Sequence, residues 1–103
     1  MIKHIVQWTF ADEAGGRAKA DNVAEASVRL RSCAGLVAGM GTFEVAPAQE
    51  GLEASHDLCL YSEFDTVDAL RAYATHPHHV EVGAFIRSVV TQRVAFDYDT
   101  ALV

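Results

Sequence analysis

The sequence predicts one α+β domain, spanning residues 1–103, with a four-stranded antiparallel, ferredoxin-like sheet and its helices on one face. Its length fits a single domain and is short for two. Strand-like alternation and helical spacing follow one another in the order β, α, β, β, α, β. This order is the split βαβ arrangement, which leaves the second face of the sheet uncovered.

The first strand is predicted over about residues 2 to 10, where apolar side chains occupy every second position. His4 is the one polar side chain on that apolar face. A loop from Ala11 to Gly16 follows, and helical spacing then predicts a first helix that ends near Gly35. Glycine fits the left-handed conformation that closes many helices, because it has no Cβ to clash there.

The middle of the sequence predicts two further strands. Residues 36 to 45 indicate a strand with a bend or bulge, because two glycines interrupt its apolar pattern. A third strand is predicted at residues 57 to 64, and Asp65 or Thr66 then caps a short helix.

The dipeptide His76-Pro77 ends that helix, because proline lacks a backbone N–H and disfavours helix at the residue before it. A new helical segment therefore starts near Pro77. The last strand covers about Val90 to Tyr98.

Composition argues against several classes of partner. The net charge is −6, with 14 acidic against 8 scattered basic side chains, so nucleic acid is not an expected partner. No apolar stretch approaches a membrane span and the N-terminus lacks the pattern of a signal peptide, which predicts a cytoplasmic protein with no membrane partner. Cys33 and Cys59 show no metal-ligand spacing and are expected to be free thiols in a reducing compartment.

The uncovered sheet face predicts a homodimer. Ile5 in the first strand and Val94 and Phe96 in the last would lie on this face. A half-apolar face of this size is commonly buried by a second copy of the chain.

Histidine is the residue type that points to a site, with five copies, three of them between His76 and His79. Imidazole clusters bind zinc or copper, but this spacing matches no defined site, so neither a metal nor a cofactor is expected. The alternative is a helix-start turn in which the imidazoles cap backbone groups or face water, which is favoured for His78.

Tyr73 and His79 approach one another if the break at Pro77 folds the two helical segments back on themselves. Neutral imidazole accepts a proton near pH 7, and a phenol donates to a developing oxyanion. The alternative is that Tyr73 is a core aromatic and His79 a satisfied polar residue. His4 is either a hydrogen-bonded core residue or the polar group of an apolar small-molecule cleft.

The sequence resembles the stress-responsive A/B barrel (Dabb) family over nearly its whole length. The most specific element is Tyr-x-x-His-Pro-x-His-Val, read together with the initial Lys-His. The stretches that carry the resemblance are Ile2-Lys3-His4-Ile5-Val6, Tyr61-Ser62-Glu63-Phe64, Leu70 to Val80 and Val94-Ala95-Phe96-Asp97-Tyr98. The resemblance implies a dimeric α/β barrel in which two sheets pack face to face.

The resemblance also implies roles for individual residues. By similarity to a plant polyketide cyclase of the family, His79 would act as general base on an acidic α-proton, Tyr73 would hold the enolate or carbonyl oxygen, and His4 would line the cavity, with no cofactor. The other expected lining residues are Val6, Trp8, Val82, Phe85 and Arg93. Arg93 is expected either to bind an anionic substrate group or to be a surface arginine.

Two departures prevent the transfer of the cyclase's substrate. That enzyme has a further pocket histidine where this chain has Leu58, with His56 two residues away on the same face. Its first helix contributes aromatic side chains, whereas the matching stretch here carries Asn22, Val23 and Ala26. The cavity is therefore expected to have a different shape.

Three functions stay open at this stage. The first is a cofactor-independent polyketide cyclase-like or other carbon-acid enzyme, acting on a small, apolar, oxygenated molecule. The second is a non-catalytic, stress-responsive dimer that binds such a ligand. The third is a cofactor-less monooxygenase, since related ferredoxin-like dimers perform such chemistry.

Overall fold

Four long strands form one antiparallel sheet in the computed structural model, which describes residues 1–103. The elements are β1 (Ile2–Phe10), β2 (Glu13–Ala14), β3 (Arg17–Ala18), α1 (Lys19–Arg31), β4 (Met40–Pro47), β5 (Leu58–Phe64), α2 (Val67–Thr75), α3 (Pro77–Val89) and β6 (Val90–Asp99), followed by a 3₁₀ turn at Thr100–Leu102. The sheet order β4-β5-β1-β6 is that of the predicted ferredoxin-like α+β fold.

The sheet has one buried and one open face. Burial alternates strictly along β1, where every even-numbered residue is buried, and β5 shows the same alternation. The buried side chains of both strands pack against the helices in one apolar cluster that includes Val6, Phe10, Leu60, Leu30 and Ile86. The core therefore lies on the helix side of the sheet. None of the helices has both the length and the apolar character needed to cross a lipid bilayer.

The connection between β1 and α1 differs from the predicted loop. It contains a small hairpin, β2 and β3, joined by Gly15 and Gly16 with φ values of 61° and 75°. A tight hairpin turn needs positive φ at both central positions, which glycine adopts without strain. The helix α1 also ends earlier than predicted, at Arg31, and turns lead on to Gly35, which has the expected left-handed φ of 70°.

The predicted irregularity of the second long strand is confirmed. Gly39 has a φ of 87°, and the pairing of β4 with β5 shifts register between Met40 and Phe43. The strand begins at Met40 and not at the predicted residue 36. Leu36 and Val37 precede it in irregular structure and pack against the core.

The predicted break at His76-Pro77 is also confirmed. The Thr66 side chain caps α2 by accepting a hydrogen bond from the Ala69 N–H at 3.1 Å. His76 is extended, and its Nδ1 accepts from the His78 N–H at 3.1 Å, which caps α3. His78 Nε2 lies 2.7 Å from Ser32 Oγ, so this ring ties the start of α3 to the end of α1.

We expect Gly39→Ala to destabilise the protein more than Gly51→Ala. Both glycines have positive φ, 87° and 81°, so either substitution carries the backbone strain of about 1–2 kcal/mol. Only at Gly39 would the new Cβ meet a neighbour, the Ala69 Cβ at 3.0 Å, while nothing lies within 4 Å at Gly51. Overpacking of this kind adds about 1–3 kcal/mol. Urea unfolding measures the free energy of unfolding of the two variants. Equal losses would show that α2 moves away from the new methyl group without cost.

Candidate functional site

A cavity of about 290 Å³ lies between the sheet and the helices. Its floor comes from three strands and its walls from α3 and α1. The lining residues are His4, Val6 and Trp8 of β1, Leu60 of β5, Arg93 of β6, Leu30 of α1, and His79, Val82, Gly83, Ile86 and Arg87 of α3. Of the residues predicted from the sequence, the structure brings six to this cavity: His4, Val6, Trp8, His79, Val82 and Arg93.

Tyr73 and Phe85 lie outside the lining. Tyr73 is fully buried one layer behind His79, with the two ring centroids 4.4 Å apart. Phe85 packs partly buried against the core, and the Arg29 guanidinium lies over its ring at 3.9 Å. One residue along a helix rotates the side chain by about 100°, so Phe85 turns toward α1 while Ile86 faces the cavity.

His79 is held in a defined tautomer. Its Nδ1 lies 3.0 Å from the carbonyl oxygen of Ala74, and a carbonyl oxygen only accepts, so Nδ1 carries the hydrogen. Nε2 is then the unprotonated nitrogen of the neutral ring. Burial lowers the pKa of His79 below its ordinary value; the hydrogen bond to Ala74 opposes this, and the electrostatic interactions with His4, Arg93 and Arg87 add to it. The ring is therefore neutral at pH 7 and is suited to accept a proton.

Tyr73 and His79 approach one another across the Pro77 break, but no hydrogen bond joins them. The rings meet at an interplanar angle of 52°. The Tyr73 hydroxyl is buried and has no hydrogen-bond partner among the protein's atoms. Burial raises the pKa of Tyr73 far above its ordinary value, so the hydroxyl keeps its proton.

His4 forms a pair with Asp97, a residue that the sequence did not single out for the site. The two residues are register partners on β1 and β6, and His4 Nδ1 lies 2.5 Å from the Asp97 carboxylate. The His4 side chain is 11% exposed. If Nδ1 donates to the carboxylate, Nε2 is left as the acceptor. The pairing could not be predicted until the register of β6 against β1 was known.

Arg87 and Gly83 were also missed, although the sequence carried a signal for them. They follow His79 at intervals of four residues, which places all three on one face of α3. A Cβ at Gly83 would lie 3.4 Å from an Arg87 guanidinium nitrogen, so the absence of a side chain there leaves room for this group.

The remaining residues that the sequence singled out lie outside the cavity lining. His56 Nδ1 is 2.9 Å from Thr9 Oγ1, and Leu58 is buried in the core. Cys33 is buried, Cys59 is half-buried, and both are free thiols. No group of three or more His, Cys, Asp or Glu side chains is arranged to hold a metal ion.

Comparison with known proteins extends these observations. A family model described as the stress responsive A/B barrel domain (Dabb) matches residues 2–100. A crystal structure from Bacteroides fragilis, described as a dimeric protein of ferredoxin-like fold, is 28% identical and superposes with a TM-score of 0.80, covering 95% of this chain and 94% of that one. A comparison with curated proteins finds no match.

Two further solved structures share the fold. A Dabb family protein from Mesorhizobium loti is 24% identical with a TM-score of 0.67, covering 95% of this chain and 94% of that one. A Nitrosomonas europaea protein, described as a candidate antibiotic biosynthesis monooxygenase, is 15% identical with a TM-score of 0.75, covering 96% and 97% of the two chains.

We expect Tyr73→Phe to leave the free energy of unfolding unchanged or to raise it by about 1 kcal/mol, because the deleted hydroxyl is buried and has no protein partner. Tyr61→Phe is the matched control and should destabilise, because the Tyr61 hydroxyl donates to Glu63 at 2.5 Å. Thermal unfolding of both variants checks this. A loss at Tyr73 equal to that at Tyr61 would reveal a hydrogen bond to the Tyr73 hydroxyl in solution.

Proposed function

Because the chain belongs to the stress-responsive A/B barrel (Dabb) family, we propose that it is a homodimeric, cofactor-independent enzyme that removes a proton from a small, apolar, oxygenated carbon acid, as a polyketide cyclase does. The observation that carries this proposal is the state of His79. Its Nδ1–H is fixed by the Ala74 carbonyl, its ring is neutral at pH 7, and it lines an apolar cavity. These are the properties of a general base.

The reaction would start with transfer of an α-proton from the ligand to His79 Nε2. The electron pair of the broken C–H bond moves to the neighbouring carbonyl, whose oxygen becomes an enolate. We assign Tyr73 as the donor to that oxygen, because its hydroxyl keeps its proton and lacks a protein partner beside the His79 ring. Tyr73 is fully buried and does not line the cavity, so this contact requires the side chains between its hydroxyl and the ligand to move.

His4 would bind the ligand from the floor of the cavity. The Asp97 carboxylate contacts its Nδ1, which leaves Nε2 to accept a hydrogen bond from a ligand hydroxyl. The apolar contacts would come from Val6, Trp8 and Val82. This division between an apolar body and a few polar groups is typical of small-molecule sites.

We expect His79→Gln to slow exchange of the α-hydrogens of a neutral ketone, β-tetralone, for deuterium by about 10²–10⁴-fold, because it removes the base. Proton NMR of the ketone in D₂O measures the rate. Burial lowers the pKa of His79, so the wild-type rate should fall with acidification only at a pH below that at which an ordinary histidine titrates.

The matched control is His78→Gln, which removes a neighbouring imidazole that contacts Ser32 and does not line the cavity. Its exchange rate should equal that of the wild type. A wild-type protein that does not accelerate exchange would contradict the proposed chemistry and favour the non-catalytic, ligand-binding alternative. Oxygen consumption with an anthrone would instead favour the monooxygenase alternative. The observation behind this alternative is the fold shared with the Nitrosomonas europaea protein.

The open face of the sheet supports the homodimer. Phe96 is 68% exposed and Val94 is 38% exposed, and with Ile5 they line a shallow apolar depression on the face away from the helices. Exposed apolar surface of this kind is favoured as an interface. The similar Bacteroides fragilis protein is described as dimeric.

The free thiols suit a reducing cytoplasm, which is the compartment we assign.

We expect Phe96→Glu to convert the dimer to monomers, because pairing the faces would bury a carboxylate without a partner. Val28→Glu is the matched control, since Val28 is 61% exposed on α1, away from this face. Sedimentation velocity measures both. A wild-type monomer, or a Phe96→Glu dimer, would contradict the proposed interface.

A further inference from the structure

Two arginines stand at the mouth of the cavity. Arg87 comes from the face of α3 that carries His79, and Arg93 comes from β6 opposite Trp8. Both side chains are exposed, whereas most of the other lining residues are buried. The guanidinium groups therefore border an apolar interior on its solvent side.

These two arginines have no acidic partner. Arg29 and Arg71 pair with carboxylates on their own helices, but no ion pair involves Arg87 or Arg93. The chain has 14 acidic residues, and none of them lines the cavity. Asp97, which lies beside the lining, is engaged by His4. The mouth is thus a local concentration of positive charge in a protein of net charge −6.

The geometry points to a ligand that carries a carboxylate, held by Arg87 and Arg93, with its apolar, oxygenated part directed inward between His4 and His79. Guanidinium groups bind carboxylates through paired, charge-assisted hydrogen bonds, which a lysine ammonium does not match. Gly83 leaves the space in which the Arg87 group lies. Such a carboxylate would be the substrate of the proposed enzyme, so its conversion rests on the proposed function. Its binding to the two arginines does not.

The size of the cavity limits the rest of the ligand. About 290 Å³ is at the lower end of the range for small-molecule sites, which runs from roughly 300 to 1,000 Å³. The part of the ligand inside the cavity is therefore compact, such as a single ring or two fused rings, and not a long chain. Because the arginines stand at the mouth and the histidines further in, the carboxylate would lie at one end of the molecule and the enolisable carbon near the other.

The test uses two probes of the same shape, β-naphthoate and its neutral amide, β-naphthamide. Titrations followed by backbone amide NMR at low salt measure both affinities. We expect wild-type protein to bind the carboxylate at least 10-fold more tightly than the amide. The double variant Arg87→Gln/Arg93→Gln should lose most of that preference while its affinity for the amide stays the same. Arg71→Gln, an exposed arginine on α2, is the matched control and should change neither affinity.

The same titrations give a second readout at His79. The ionisable groups that face its ring are His4, Arg87 and Arg93, and a carboxylate seated between the arginines would offset the two guanidinium charges. We therefore expect β-naphthoate, and not β-naphthamide, to raise the pKa of His79, measured from the pH dependence of its ring proton shifts. The double variant should abolish this effect.

Failure of this inference is distinguishable from failure of the proposed function. Equal affinities for the two probes, undetectable binding of β-naphthoate, or a preference that survives in the double variant would each overturn the carboxylate site, whatever the rate of β-tetralone exchange. The His79→Gln variant should retain the preference for β-naphthoate, because its arginines are unchanged. Preference without any exchange activity would support the carboxylate site and contradict only the proposed catalysis.

Discussion

The pleat of the central strand β1 decides which of its side chains face the cavity and which lie on the open face of the sheet. Successive side chains of a strand point to opposite faces of the sheet, so a shift of one residue would exchange the two faces completely. In the observed register, His4, Val6 and Trp8 lie under the helices while Ile5 lies on the open face. The cavity and the proposed dimer interface are therefore two consequences of one alternation, and a variant that slipped β1 would lose both.

The second constraint is the break between α2 and α3. In a continuous helix the Ala74 carbonyl would accept from the N–H of residue 78. Here the His78 N–H donates to the His76 side chain, and the Ala74 carbonyl accepts from His79 Nδ1. A carbonyl near the end of one helix thus sets the tautomer of the candidate base at the start of the next. The proline contributes by forcing this break, without any contact to a ligand.

Periodicity and the proline were sufficient to predict the long elements and the break at His76-Pro77, whereas the placing of His4 and His79 at a common cavity was implied by the resemblance to the Dabb family. They could not predict interactions that depend on side-chain direction. The pairing of His4 with Asp97 depends on the register of two strands that are distant in sequence. The position of Phe85 outside the lining depends on the rotation of α3, which packing against α1 determines. The pattern placed Tyr73 beside His79, but whether a hydroxyl meets a ring nitrogen or a ring packs on a ring depends on distances that no sequence pattern specifies.

The electrostatics of the cavity oppose those of the molecule as a whole. A net charge of −6 repels an anionic ligand at long range, but salt screens such repulsion beyond about 10 Å at 0.1 M, while charges close to a partly buried site are screened much less. In the proposed site, the arginines at the mouth would therefore outweigh the net charge in selecting a ligand. Their charge also lowers the pKa of His79, which makes the ring a weaker base. In the proposed reaction the imidazole becomes cationic when it accepts the proton. A carboxylate bound between the arginines would offset their repulsion of the protonated ring.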